Sequence, residues 1–276
     1  MVHAERGLKR GTLKLRGVDM RWGVRTYVMG IVNVTPDSFS GDGLLNEREA
    51  TTHALAQWEQ HADLLDIGGE STRPGHQTVD ESIEIGRIVP VIEAVRAQLP
   101  QAPISVDSYK PGVVRAAWAA GADLVNSVWG ASDELLDVAA ELGMPIVAMH
   151  NQLGTVYPGP VLDSVVRYLD DCAARAIARG IARERILLDP GIGFGKTAEQ
   201  NLAVLQGLHR VVALGFPTML GASRKSTIGK LIGREPGNRV FGTAATTALA
   251  VNSGIDMVRV HDVEAARDAV AVADAV

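Results

Sequence analysis

The chain has 276 residues, a length that suits one barrel-sized domain. Its apolar fraction of 46% beside an aromatic fraction of 4% points to a core of Val, Ile, Leu and Ala, the composition of buried parallel strands. A formal charge of -5 excludes a general basic footprint for nucleic acid, and a single cysteine excludes an intrachain disulfide.

In chain order, the N-terminus carries charges but no long apolar run, so neither a signal peptide nor a membrane span is expected, and the cytoplasm is the expected location. Leu13–Leu15 and then Met20 to Thr26 predict a hairpin capping the bottom of the fold. Eight short apolar runs follow: Tyr27–Val32, Leu64–Ile67, Ile104–Val106, Leu124–Val125, Ile146–Met149, Ile186–Leu188, Thr218–Leu220 and Met257–Val260. Each is followed by sequence of helical period. This alternation predicts an α/β fold, a (β/α)8 TIM barrel in a single domain spanning 1–276 with its core at about 26–272. Polar residues gather at the ends of the runs: Asn33, Asp66, Asp107, Asn126, His150, Asp189, and Arg259 with His261. In a barrel these ends meet on one face, which predicts one composite polar pocket for a small molecule.

Asn33 can offer an amide oxygen to a hard cation such as Mg2+, although Asp37 and Ser38 could simply cap a turn there. In Asp66–Gly75, the paired glycines permit close backbone approach and Arg73 can reach an anion; an ordinary turn with an exposed arginine competes. Asp107 and Asn126 can read the donors and acceptors of a flat heterocycle, or Asp107 can cap the helix that begins near Pro111. Met149 can floor a ring. His150 reads as a hydrogen-bonded barrel-mouth residue without a catalytic task. The run Asp189–Thr197 is not a nucleotide-binding phosphate loop, because Pro190 stands where the first glycine is needed. There Asp189 would face N–H groups of a ligand and Phe194 would pack on its edge. Lys225 can donate to a ring carbonyl and Ser226 can bind a second substrate, unless this is a basic surface loop. Arg259 and His261, on one side of their strand, form a candidate anion clamp, while Asp262 could begin a helix. Cys172 lies on an apolar helical stripe with Val161, Val165, Leu169 and Ala176 and reads as a packed hydrophobe.

Taken together, the segments Asn33–Ser40, Asp66–Gly75, Ser105–Asp107, Asn126, Met149–His150, Asp189–Thr197, Ser223–Ser226, Arg239–Thr243 and Arg259–Val263 resemble the dihydropteroate synthases. The resemblance implies condensation of 6-hydroxymethyl-7,8-dihydropterin diphosphate with 4-aminobenzoate. It implies that Asp107, Asn126, Asp189 and Lys225 bind the pterin, with Met149 and Phe194 packed against it. It implies that Asn33, Arg73, Arg259 and His261 hold the diphosphate, with Mg2+ near Asn33, and that Phe39, Thr72, Arg73, Pro74 and Ser226 shape the aminobenzoate site. Asp107, Asp189, Lys225, Arg259 and His261 would then carry the catalysis. A homodimer through the last helices is implied as well. The sequence departs from the family pattern at Ser40-Gly41-Asp42-Gly43, at Ser127 in place of an aspartate, and at Asn151-Gln152-Leu153-Gly154. A methyltetrahydrofolate-dependent methyltransferase module and a non-catalytic pterin-binding paralogue are the competing expectations.

Overall fold

The computed structural model describes residues 10–35, 46–71 and 78–276. An antiparallel hairpin, β1 (Thr12–Leu15) and β2 (Val18–Arg21), comes first. Strands and helices then alternate: β3 (Tyr27–Asn33), α1 (Glu47–Glu59), β4 (Leu64–Gly68), α2 (Glu81–Gln98), β5 (Ile104–Asp107), α3 (Pro111–Ala120), β6 (Leu124–Ser127) and α4 (Asp133–Glu141). The second half repeats the pattern with β7 (Ile146–Met149), α5 (Val161–Ala178), β8 (Ile186–Asp189), α6 (Ala198–Gln206), α7 (Leu208–Val212), β9 (Met219–Leu220), α8 (Ser226–Ile232), α9 (Val240–Asn252), β10 (Met257–Val260) and α10 (Val263–Ala275).

The eight later strands form one parallel sheet in the order β8-β7-β6-β5-β4-β3-β10-β9. Its seam closes where Leu188 bridges Thr218 and the Leu188 N–H donates to the Pro217 carbonyl at 2.9 Å. This is the predicted (β/α)8 barrel. The seventh run, Thr218–Leu220, gives a strand shorter than its apolar pattern, because the Thr218 N–H donates to the Asp256 carboxylate at 2.9 Å rather than to a neighbouring strand. Five other strands run further than their apolar cores, taking in Asn33, Gly68, Asp107, Asn126 with Ser127, and Asp189. Inward-facing polar side chains do not interrupt a ladder, because the ladder is made of backbone groups.

Side-chain alternation sorts the core into layers. Outward residues such as Val28, Val32, Leu65, Ile67, Val106, Val125, Ile146 and Leu188 join the helices in the main apolar cluster. Inward residues at the strand starts, Met29, Leu64, Leu124, Val147, Leu187, Met219 and Met257, form a second cluster with Leu13, Leu15, Met20 and Trp22. The hairpin therefore plugs the bottom of the barrel. Full burial of each such side chain contributes about 1.5–3 kcal/mol relative to exposure. Trp22 is fixed by an edge contact with Tyr27 at 5.5 Å and by donating to the Glu184 carbonyl at 3.0 Å.

Helix starts follow local chemistry. Ser132 caps α4 by accepting from the Leu135 N–H, and Thr197 with Gln200 makes a reciprocal capping box on α6. Pro111 opens α3, and Lys110 rather than Asp107 occupies its N-cap, which leaves Asp107 facing the barrel interior. Asp262 stands at the start of α10 without capping it and instead pairs with Arg224 at 2.6 Å. Cys172 is fully buried on α5, and burial pushes its thiol pKa up. Among the described residues, no helix is long and apolar enough to cross a membrane.

Candidate active site

Above the apolar plug, the inward positions of five strands turn polar. β4 supplies Asp66, β5 Ser105 and Asp107, β6 Asn126, β8 Asp189 and β10 Arg259. Of these, Asp107 and Arg259 reach a cavity of about 280 Å3 that is also lined by Asn33, Phe194, Lys225, Ser226 and His261, among others, while Asp66, Ser105, Asn126 and Asp189 are buried behind them as its floor network. Of the described residues named from the sequence, Asn33, Asp107, Phe194, Lys225, Ser226, Arg259 and His261 line this cavity, whereas Asn126, Met149, His150 and Asp189 do not.

The floor is a charge network. Arg259 donates through Nε to Asp66 Oδ2 at 2.5 Å and through Nη2 to Asp107 Oδ2 at 2.6 Å. Asn126 Nδ2 donates to the same Asp66 oxygen at 2.9 Å. Burial pushes Asp107 up to about 7; Arg259 pulls the other way, and neighbouring Asp66 reinforces the rise. Asp189 accepts from the Gly191 N–H at 2.7 Å and the Gly221 N–H at 3.2 Å, yet burial still holds its pKa above the ordinary value. Gly191 is required for this turn: its φ is 69°, and a Cβ there would stand 1.9 Å from the His150 carbonyl oxygen.

Four buried polar atoms in this floor have no hydrogen-bond partner among the described residues: Asp66 Oδ1, Asp107 Oδ1, Asn126 Oδ1 and Ser105 Oγ. Each such atom costs about 1–3 kcal/mol when left unsatisfied. The amide oxygen of Asn126 and the ionised carboxylate oxygens of Asp66 and Asp107 are acceptors. Asp107, the one of these residues that lines the cavity, suits a ligand with N–H donors.

Phe194 brings an aromatic face to the cavity. Val128, Met149 and Phe194 pack together with Trp129 into a small apolar cluster. Lys225 Nζ lies 3.8 Å from the Phe194 ring centroid, a cation–π distance. At the rim, His261 Nδ1 sits 2.9 Å from Ser223 Oγ, and the His261 N–H donates to the same oxygen at 3.2 Å. Both members of the expected anion clamp line the cavity, but Arg259 turns inward to the carboxylates while His261 stays at the rim. Ser226 begins α8 at the cavity edge.

Phe39, Thr72, Arg73 and Pro74 lie outside the described residues, as does the Ser40–Gly43 departure. Ser127 is accounted for: its buried hydroxyl donates to the Gly130 carbonyl and closes the β6 turn. Asn151 similarly donates to the Val128 carbonyl at 3.0 Å. The sequence pattern places Asp66 at the polar mouth without giving it a role, and it gives no role to Ser105 or Ser223. Parity carried the signal for the first two, since Asp66 stands two residues after inward Leu64 and Ser105 two before Asp107. Among the described residues, no group of three or more His, Cys, Asp or Glu side chains could hold a metal ion. Asn33, half-buried in the cavity lining, offers an oxygen ligand that fits an ion arriving with an anionic substrate better than a resident one.

A parallel barrel whose floor gathers buried acceptors beneath a cationic rim defines an enzyme for a flat, nitrogen-rich small molecule. The family of pterin binding enzymes matches residues 29–261. The dihydropteroate synthase of Clostridium beijerinckii is 42% identical over 91% of this chain and 94% of its own. A crystal structure of the Clostridium difficile dihydropteroate synthase in the presence of pteroic acid superposes with a TM-score of 0.87 at 44% identity, covering 92% of this chain and 97% of that one. The Xanthomonas albilineans dihydropteroate synthase with 4-aminobenzoic acid gives 0.85 at 46% identity, covering 91% and 93%. The chain belongs to the dihydropteroate synthase family of pterin-binding transferases.

Proposed function

We propose that this mouth divides the work of the dihydropteroate synthase reaction, in which 6-hydroxymethyl-7,8-dihydropterin diphosphate and 4-aminobenzoate give 7,8-dihydropteroate and diphosphate, as follows. Asp107, Asn126 and Asp189 take the N–H edge of the pterin, and Lys225 donates to its ring carbonyl. Met149 and Phe194 pack on its faces and edge. The unpartnered buried oxygens of Asp107 and Asn126 are the observation that supports this most directly. As pterin N–H groups occupy the carboxylates, Arg259 is released towards the rim, where it joins His261 and Arg73 on the diphosphate. Asn33 would hold Mg2+ together with diphosphate oxygens, and the ion, when bound, neutralises charge on the leaving group. Phe39, Thr72, Arg73, Pro74 and Ser226 shape the aminobenzoate site.

The chemistry is electrostatic. As the C–O bond to diphosphate breaks, its electron pair leaves with the diphosphate, whose growing charge Arg259 and His261 meet. The positive charge left on the pterin methylene spreads into the ring, where Asp107 and Asp189 stabilise it. The neutral arylamine nitrogen then bonds to that carbon and loses a proton. No protein nucleophile is needed, and Cys172 is buried on the outer helical layer.

The apolar side chains exposed on the last helices support a homodimer: Leu231 and Ile232 on α8, and Phe241 and Leu249 on one face of α9, where Phe241 is 85% exposed. A cytoplasmic location accords with this small-molecule chemistry. The deciding experiment is a reaction mixture run with both substrates and Mg2+, then lacking each substrate in turn, followed by product mass. Dihydropteroate forming only in the complete mixture supports the assignment. Calorimetry that shows pterin diphosphate binding without turnover supports the non-catalytic paralogue instead.

A further inference from the structure

The loop between β8 and α6 contains three glycines with positive φ, Gly191 at 69°, Gly193 at 83° and Gly195 at 56°. Glycine-rich backbone has the most conformational freedom to lose, so something must hold this loop in one shape. The loop also touches the proposed pterin cation closely: a Cβ on Gly193 would lie 2.9 Å from Lys225 Cδ, and Phe194 presents its ring to Lys225 Nζ.

Lys196 supplies the hold from inside. Its buried Nζ lies 2.9 Å from His150 Nδ1, 2.9 Å from the Gly191 carbonyl and 3.0 Å from the Phe194 carbonyl. An ammonium has three N–H donors, and here it meets three acceptors. That match requires His150 Nδ1 to be unprotonated, so the imidazole is neutral with its proton on Nε2. Burial and the nearby Lys196 charge keep His150 neutral, pushing its pKa down to about 3. The ring is itself wedged edge-on against Tyr168 at 5.0 Å and stacked on Tyr157 at 6.0 Å, a rigid anchor for the lysine.

We propose that Lys196 is a positioning residue for the pterin: by tying His150 to the Gly191 and Phe194 carbonyls, it fixes the glycine loop so that the Phe194 ring and Lys225 meet the ligand in one arrangement. This rests on the pterin assignment above. Lys196 touches neither substrate in that assignment and acts through Phe194.

The test is calorimetry of 6-hydroxymethyl-7,8-dihydropterin diphosphate binding, without 4-aminobenzoate. Burial lowers Lys196 to about 7 against the pull of Asp189, so the titration is run at about pH 6.5, where the ammonium prevails. Lys196→Met should weaken binding about tenfold in the wild-type background and less than about twofold in a Phe194→Leu background, because the cycle isolates coupling through that ring. His150→Leu should reproduce the loss, while His150→Gln, which keeps an acceptor, should stay within about threefold of wild type. The His150 pair also carries the test if Lys196→Met does not fold. Equal losses in both backgrounds, or identical behaviour of the two His150 variants, would overturn the proposal. If the wild-type chain binds no pterin diphosphate, the functional assignment falls, and amide exchange then judges the clamp alone. Faster exchange at Gly193 and Phe194 in Lys196→Met supports it, and unchanged exchange overturns it.

Discussion

Replacing Arg259 with methionine removes the guanidinium that both Asp66 and Asp107 accept from and leaves two buried carboxylates side by side. Removing one partner of a buried ion pair costs about 3–5 kcal/mol. The cost depends on pH, because burial and Asp66 already push Asp107 up to about 7. With the guanidinium gone, the folded-state pKa of Asp107 climbs further above the unfolded value. A carboxyl raised in this way contributes stability that is fully present below its unfolded pKa and is lost as pH rises through the folded one. Below about pH 7 both proteins carry the proton and the difference between them levels off. Above that point only the variant does, and the penalty grows by up to about 1.4 kcal/mol per pH unit. Asp66 retains its bond from Asn126 in either case. Urea unfolding followed by circular dichroism should therefore give a penalty of about 3–5 kcal/mol at pH 8.5, and one smaller by at least about 1.5 kcal/mol at pH 6. Equal penalties at the two pH values would refute the shared-charge account of the floor.

Lys225→Ala and Asp189→Asn should each lower kcat/KM by at least about 30-fold, the equivalent of about 2 kcal/mol for a lost charged partner. Near-wild-type kinetics in both would remove them from the site. Phe241→Asp combined with Leu249→Asp should shift sedimentation from dimer to monomer; an unchanged profile rules out α9 as the interface. Chelation with EDTA should slow diphosphate release and added Mg2+ should restore it, whereas indifference to chelator would argue that Asn33 holds no ion.

The barrel was readable because two periods are superimposed in the sequence. Outward Val and Ile alternate with inward residues on each strand, and helix-period sequence separates the strands. The inward residues change from Leu and Met to Asp, Asn and Arg over a single two-residue step, which located the mouth. Partnership was harder to read. Arg259 could be placed on the inner face by parity, but its pairing with Asp66 joins residues 193 positions apart and depends on β10 lying beside β3 and β3 beside β4. The inward turn of Arg259 is a matter of local charge balance, since two buried carboxylates attract the nearest guanidinium more strongly than an open rim does. Lys196 stands in the Asp189–Thr197 run, which lacks phosphate-loop spacing, and nothing in that spacing reveals that His150, 46 residues away, supplies an acceptor. Ser127 shows the converse case. Its departure from the family pattern was visible, while its bond to the Gly130 carbonyl required coordinates.

The hairpin wedged beneath Leu64, Leu124 and Leu187 has a consequence for traffic. With that end stoppered, a molecule resting on Asp107 must have come in past Lys225 and His261, and it departs the same way. Whatever sits deepest is therefore first to arrive and last to go, and a compound lodged at the rim imprisons anything already beneath it.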